Sequence, residues 1–173
     1  MSVSLYAATI PTFLQILGSV SALLDKAEAY CAERDIAEAE LIGTKLAEDM
    51  LPFGFQVSSV VHHSLGAIEG VRKGVFSPDR SPWPQTLAGL RERIEHARAT
   101  LAALDPAELD ALQGRDMRFE IHDVRMDFTV EDFLFTFSQP NFNFHASIGY
   151  AILRMKGVAI GKRDYLGAIR MKS

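Results

Sequence analysis

Apolar residues recur every three or four positions along most of the chain, and the breaks in that rhythm mark its elements. Leu5, Phe13, Ile16, Val20, Leu23, Leu24 and Ala27 predict one long helix over roughly residues 4–34. Pro11 falls in its first turns, where it shortens or kinks the start. Asp35 to Asp49 reads as a connection with a short helical piece around Ala37–Gly43. Pro52 suits an early position of a second helix, which runs to about Lys73 before Gly74 and turns Val57, Val61, Ser64, Ile68 and Val71 inward. SPDRSPWP, residues 77–84, holds three prolines and is a loop. A third helix follows over about Gln85–Leu104, with Leu87, Leu90, Ile94, Ala97, Leu101 and Leu104 inward. Asp105-Pro106 then opens a short helical turn through about Leu112.

At residues 117–129 the period changes from 3.6 to 2. Met117, Phe119 and Ile121 alternate with polar residues, as do Val124, Met126 and Phe128. A two-residue turn at His122-Asp123 pairs Ile121 with Val124, Phe119 with Met126 and Met117 with Phe128, all on one face. An isolated hairpin is marginal in water, so this one must lie on the helices. The last long helix runs from about Val130 to Lys156 and ends at Gly157. Its predicted core stripe is Phe133, Phe137, Phe144, Ile148, Ala151 and Met155. The expected fold is therefore an all-α, up-down antiparallel four-helix bundle with a small β-hairpin before the last helix, in a single domain over residues 1–173.

Narrow polar lines run beside these apolar stripes. Ser138, Asn141 and His145 form one on the last helix, followed a turn later by Gly149. Gln15 and Ser19 form another on the first helix, and Gln56 and His63 a third on the second. His62 is predicted to point to the other side. Unpaired buried polar groups cost a few kcal/mol each. Gln15, Gln56, His63, Asn141 and His145 are therefore expected to meet in one internal cluster, as a hydrogen-bond network or a ligand pocket. His96 lies on a charged face and His122 in the hairpin turn.

Composition narrows the function only by exclusion. A net charge of −4 argues against a nucleic-acid partner. Arg154, Lys156, Lys162, Arg163, Arg170 and Lys172 stand near the end against one acid, Asp164, and read as helix C-terminal complementation and a solvated tail, or more sharply as a basic rim that attracts an anionic ligand. Cys31 is the only cysteine, which fits a reducing cytoplasm and leaves no internal disulfide. No charge precedes Asp25, but Thr9, Pro11, Thr12, Gln15, Ser19 and Ser21 interrupt the apolar run, so a buried helix is expected rather than a membrane span.

Several segments together carry a family resemblance. Tyr6 to Leu24, the run Asp49-Met50-Leu51-Pro52 with Gln56, the hairpin, Pro140-Asn141-Phe142-Asn143-Phe144-His145 and the closing Ala151-Ile152-Leu153-Arg154 … Gly161-Lys162-Arg163-Asp164-Tyr165-Leu166-Gly167 resemble the DinB/YfiT-like superfamily. Within it the chain is most similar to a bacterial family of unknown function. The resemblance implies a bundle whose members often hold a divalent metal through three histidines, two of them at i and i+4 on the last helix, and some of which transfer low-molecular-weight thiols. His145 matches one ligand position, but Asn141 and Gly149 stand one turn to either side, so the histidine pair is missing. His63, or less well His62, is the candidate partner from the second helix, and the triad stays incomplete. No resident cofactor is implied beyond a labile divalent metal. Two readings stay open: a non-catalytic or small-ligand-binding homodimer with a degenerate metal site, and a metal-dependent enzyme resembling the thiol transferases.

Overall fold

The computed structural model describes residues 3–172 and is mostly helical. Ser4 caps α1 (Leu5–Arg34) by accepting from the Ala7 backbone N–H, and Asp35 ends it in the left-handed conformation. Pro11 lies inside α1 without ending it. After the short α2 (Glu38–Ile42) comes a continuous helix over residues 53–73. It is α-helical in α3 (Phe53–Val61) and α4 (Ala67–Lys73), with a π-helical turn at His62–Gly66 between them. Thr86 caps α5 (Leu87–Ala102), and Asp105 caps α6 (Pro106–Asp110). A second continuous helix covers residues 130–156: α7 (Val130–Asp132), a π-helical turn at Phe133–Ser138, and α8 (Gln139–Lys156). The small α9 (Lys162–Leu166) follows.

The four long helical segments pack in a ring, α1 on α5 and α8, and α3 likewise on α8 and α5. Phe13, Phe53, Phe133 and Phe142 are fully buried at its centre, with Phe13 and Phe142 edge-to-face at 4.8 Å. Each such ring removed from water contributes about 1.5–3 kcal/mol. By length and composition α1 could cross a membrane, yet 56% of its apolar window is buried inside this fold. Cys31 is buried there too, and burial followed by the nearby carboxylates of Glu38 and Glu40 pushes its thiol pKa up, away from nucleophilic use.

β2 (Asp116–Ile121) and β3 (Val124–Thr129) pair antiparallel with Ile121 opposite Val124, Phe119 opposite Met126 and Met117 opposite Phe128. Two features correct the sequence-based expectation. The sheet has a third strand, β1 (Val75–Phe76), pairing in parallel with β2 through Arg118 and Phe119. Two residues carry no readable period. The turn into them is made by Gly74, whose φ of 74° ends the helix. The hairpin face is also buried mainly along β2. Met117 and Phe119 are buried, whereas Val124 and Met126 stay exposed beyond the helices.

The core stripe of the last helix is corrected as well. Phe133 is buried as expected, but Phe144 and Met155 are both 52% exposed, and the other buried positions are Leu134, Ser138, Phe142, Ala146, Gly149, Ile152 and Leu153. The π-helical turn adds one residue, and each residue in an α-helix rotates the face by about 100°. A stripe extrapolated from Phe133 and Phe137 therefore leaves the core one turn later.

Candidate functional site

The two π-helical turns face each other across the bundle. Ser138, at the end of one, donates from its hydroxyl to the His63 carbonyl inside the other at 2.8 Å. A π turn displaces carbonyls from the regular ladder, and this bond satisfies one of them. Ser64 does the same on its own helix, donating to the Val60 and Val61 carbonyls.

Beside these turns lies a cavity of about 230 Å³. His62 and His63 come to it from the first turn, Phe137, Asn141 and His145 from the second helix, and Phe76 and Phe119 from the sheet. The loop between β1 and α5 closes one side with Pro78, Asp79, Ser81 and Trp83. The His63 and His145 rings are nearly parallel, 17° apart in plane with centroids separated by 5.6 Å. The His62 ring stacks on Phe76 at 4.3 Å.

A short relay orients His145. Gln56 is 2% exposed and donates from its amide nitrogen to the Leu51 carbonyl at 2.8 Å. Its amide oxygen then faces His145 Nδ1, also at 2.8 Å. That oxygen can only accept, so the proton of the neutral ring sits on Nδ1 and Nε2 keeps its lone pair. His62 is set differently: the Asp79 backbone N–H donates to its Nε2 at 3.2 Å. His63 is 9% exposed, and its Nδ1 is buried without a partner.

The cavity carries little charge. Burial first, then neighbouring His62 and His145, lower the His63 pKa to about 3. Burial and then His62 lower that of His145 to about 4. His62 is also lowered, chiefly by burial, although Asp79 opposes the shift. All three rings are therefore neutral at pH 7. Asp79 is the single acid in the lining. Burial raises its pKa, but hydrogen bonds from Ser81 and Arg93 outweigh it and hold the carboxylate ionised. Arg93 pairs with Asp79 at 3.2 Å.

The structure brings Gln56, His63, Asn141 and His145 together and excludes Gln15. Gln15 donates to the Leu166 carbonyl at 2.8 Å, and Ser19 beside it to the Tyr165 carbonyl at 2.7 Å. The polar line on α1 thus fastens α9 to the bundle, a use invisible in local periodicity because its partners lie some 150 residues away. His62, predicted to point away, also lines the cavity. β1 and the following loop wrap around its side of the helix and extend the cavity to it. Asn141 lines the cavity but spends its amide N–H on its own helix, donating to the Phe137 carbonyl at 2.7 Å. Sequence reasoning missed Trp83, Asp79 and the aromatic wall of Phe76 and Phe119. Only the proline-rich run before α5 hinted that this loop is ordered. Among the described residues no group of three or more His, Cys, Asp or Glu side chains is arranged to hold a metal ion.

Comparison with solved structures finds a crystal structure of a DinB family member protein from Shewanella denitrificans with a TM-score of 0.80 and 27% identity. The match covers 98% of this chain and 95% of that one. No curated protein matches. The model of the domain of unknown function DUF1993 matches residues 5–166, nearly the whole chain including every element that builds the cavity, and the protein belongs to that DinB-like family.

Proposed function

We propose that this chain is a DinB-like bundle in which the metal position of the superfamily has become a metal-free pocket for a small molecule. The long helices are read as an up-down antiparallel four-helix bundle, supported by the ring in which α1 and α3 each pack on both α5 and α8. One observation carries the functional reading. His145 spends its Nδ1 proton on Gln56 and lines an aromatic cavity of about 230 Å³, with no partner on Nε2 among the described residues. Concave, mostly apolar cavities with a few placed polar groups are the usual form of small-molecule sites. Three neutral imidazoles line the cavity, but His62 Nε2 already accepts from the Asp79 backbone N–H and His145 Nδ1 is spent on Gln56. Asn141 and Gly149 stand where a second histidine of the last helix would be, which makes a poor zinc set because amide oxygens are weak ligands for that ion.

Elemental analysis of protein purified without a chelator or histidine tag tests this reading. The expected result is far less than one zinc or nickel per chain, together with saturable changes in Trp83 fluorescence on adding small aromatic molecules. Close to one metal per chain, lost in His145→Ala, would overturn it in favour of a metal-dependent enzyme.

A further inference from the structure

Three properties of the cavity restrict what it can take. The first is size. A cavity of about 150 Å³ holds benzene, so 230 Å³ accommodates one ring with a small substituent. The second is charge. All three histidines are neutral at pH 7, and the Asp79 carboxylate is already taken by Arg93 at 3.2 Å and the Ser81 backbone N–H at 2.8 Å. An anionic ligand would enter without a cation to meet it, and a cationic one would have to break the Asp79–Arg93 pair. Either would lose hydration that the neutral hydroxyls of Ser58 and Ser59 and the Asn141 amide replace only in part.

The third property is the polarity of the free groups. Leu51 carbonyl, Gln56 and His145 form a directed chain, N–H to oxygen at each step, which leaves His145 Nε2 as a bare acceptor. Asn141 directs one amide proton to the Phe137 carbonyl on its own helix. The walls on either side are mostly ring faces and edges, with the Ser58 and Ser59 hydroxyls among them. Phe55 meets His145 edge-on at 5.8 Å and Trp83 edge-on at 5.9 Å.

Resting on the pocket reading above, we propose that the cavity binds an uncharged monocyclic aromatic molecule bearing one hydrogen-bond donor, a phenol-type hydroxyl, which donates to His145 Nε2. The ring lies among Phe55, Phe76 and Trp83, and the hydroxyl completes the relay that begins at the Leu51 carbonyl. A bare acceptor inside an aromatic pocket discriminates strongly against an otherwise identical ligand that lacks the donor, because both polar partners lose a bond. Gln56 is a positioning residue here: it touches His145, not the ligand, and fixes which nitrogen carries the proton.

Phenol, anisole, toluene and benzoate, titrated into the full chain at pH 7 by calorimetry and followed through Trp83, the only tryptophan, decide the matter. Phenol is expected to bind one per chain, at least tenfold more tightly than anisole or toluene, with benzoate not binding. Nitrogen-15 spectra of the histidine rings, which need no variant, are expected to show His145 protonated at Nδ1 both free and bound. The variant Gln56→Leu is expected to bring phenol down to the anisole level while leaving toluene unchanged. Equal binding of phenol, anisole and toluene would leave the pocket reading standing and overturn the donor assignment. An Nε2-protonated His145, or benzoate as the tightest ligand, would overturn it as well. Failure of all four to bind would overturn the pocket reading itself, and the present proposal with it.

Discussion

Trp83 occupies the space that a side chain at position 54 would need. A Cβ built on Gly54 falls 2.5 Å from Trp83 Cδ1 and 2.7 Å from Ile42 Cγ2, closer than real atoms approach. The indole thereby lies directly on the α3 backbone and holds the loop over residues 77–84 against the cavity. The same loop is fixed by Asp79, through His62 and Arg93, and by Arg80, which donates to His122 Nε2 in the hairpin turn at 2.6 Å. Gly54→Ala should therefore displace Trp83. We expect a loss of about 1–3 kcal/mol in denaturant unfolding and a red-shifted Trp emission. An unchanged spectrum would show that the indole does not depend on that contact.

Stability should fall on mild acidification. His63 and His145 have folded pKa values of about 3 and about 4, against about 6.5 for an unfolded histidine. Between those values the unfolded chain binds protons that the folded chain refuses. Stability is then fully present above about pH 6.5 and declines as pH drops toward 4. The slope is about 1.4 kcal/mol per pH unit for each histidine that stays neutral. Urea midpoints at pH 7 and pH 4.5 measure the effect, and His145→Gln should make the decline shallower.

Removing His145 should cost more than its own contacts. In His145→Leu the Gln56 amide oxygen, 2% exposed as a residue, is left buried without its donor. We expect a loss of about 1–3 kcal/mol. Replacing Gln56 by Leu as well removes the orphan, and the Leu51 carbonyl it served belongs to a residue that is 48% exposed and can turn to water. The double variant should lose less than the sum of the two single ones. Additive losses would mean that the two side chains act independently.

Gly149→Ala should stabilise the protein. An added Cβ would sit 3.7 Å from Phe53 Cε2 and 4.0 Å from Gln56 Cβ, ordinary contact distances, within the regular part of α8. Glycine in a helix interior costs about 0.5–1 kcal/mol relative to alanine. Thermal unfolding should recover that amount, and a decrease would reveal a closer approach of α3 to α8 than these distances allow.

What the sequence by itself determined is whatever depends on neighbours along the chain. The extent of α1, within a residue at either end, follows from apolar spacing with Ser4 before it and Asp35 after it. The register of β2 on β3 follows from a period of 2 closed by a two-residue turn at His122-Asp123. Gln56, His63, Asn141 and His145 could be picked out because each borders an apolar stripe and must find a partner there. What only the tertiary structure decided is phase and long-range pairing. A single extra residue in each π-helical turn rotates all that follows by about 100°. Its displaced carbonyls are tolerated because Ser138 from one turn reaches His63 in the other. No local pattern records that bond. The same holds for Gln15, whose partner near residue 166 captured it for α9, and for His62, which joined the cavity because β1 and the Trp83 loop folded over it. Periodicity reports which side of a helix is apolar, whereas the partner a polar group meets depends on segments that only the folded chain brings together.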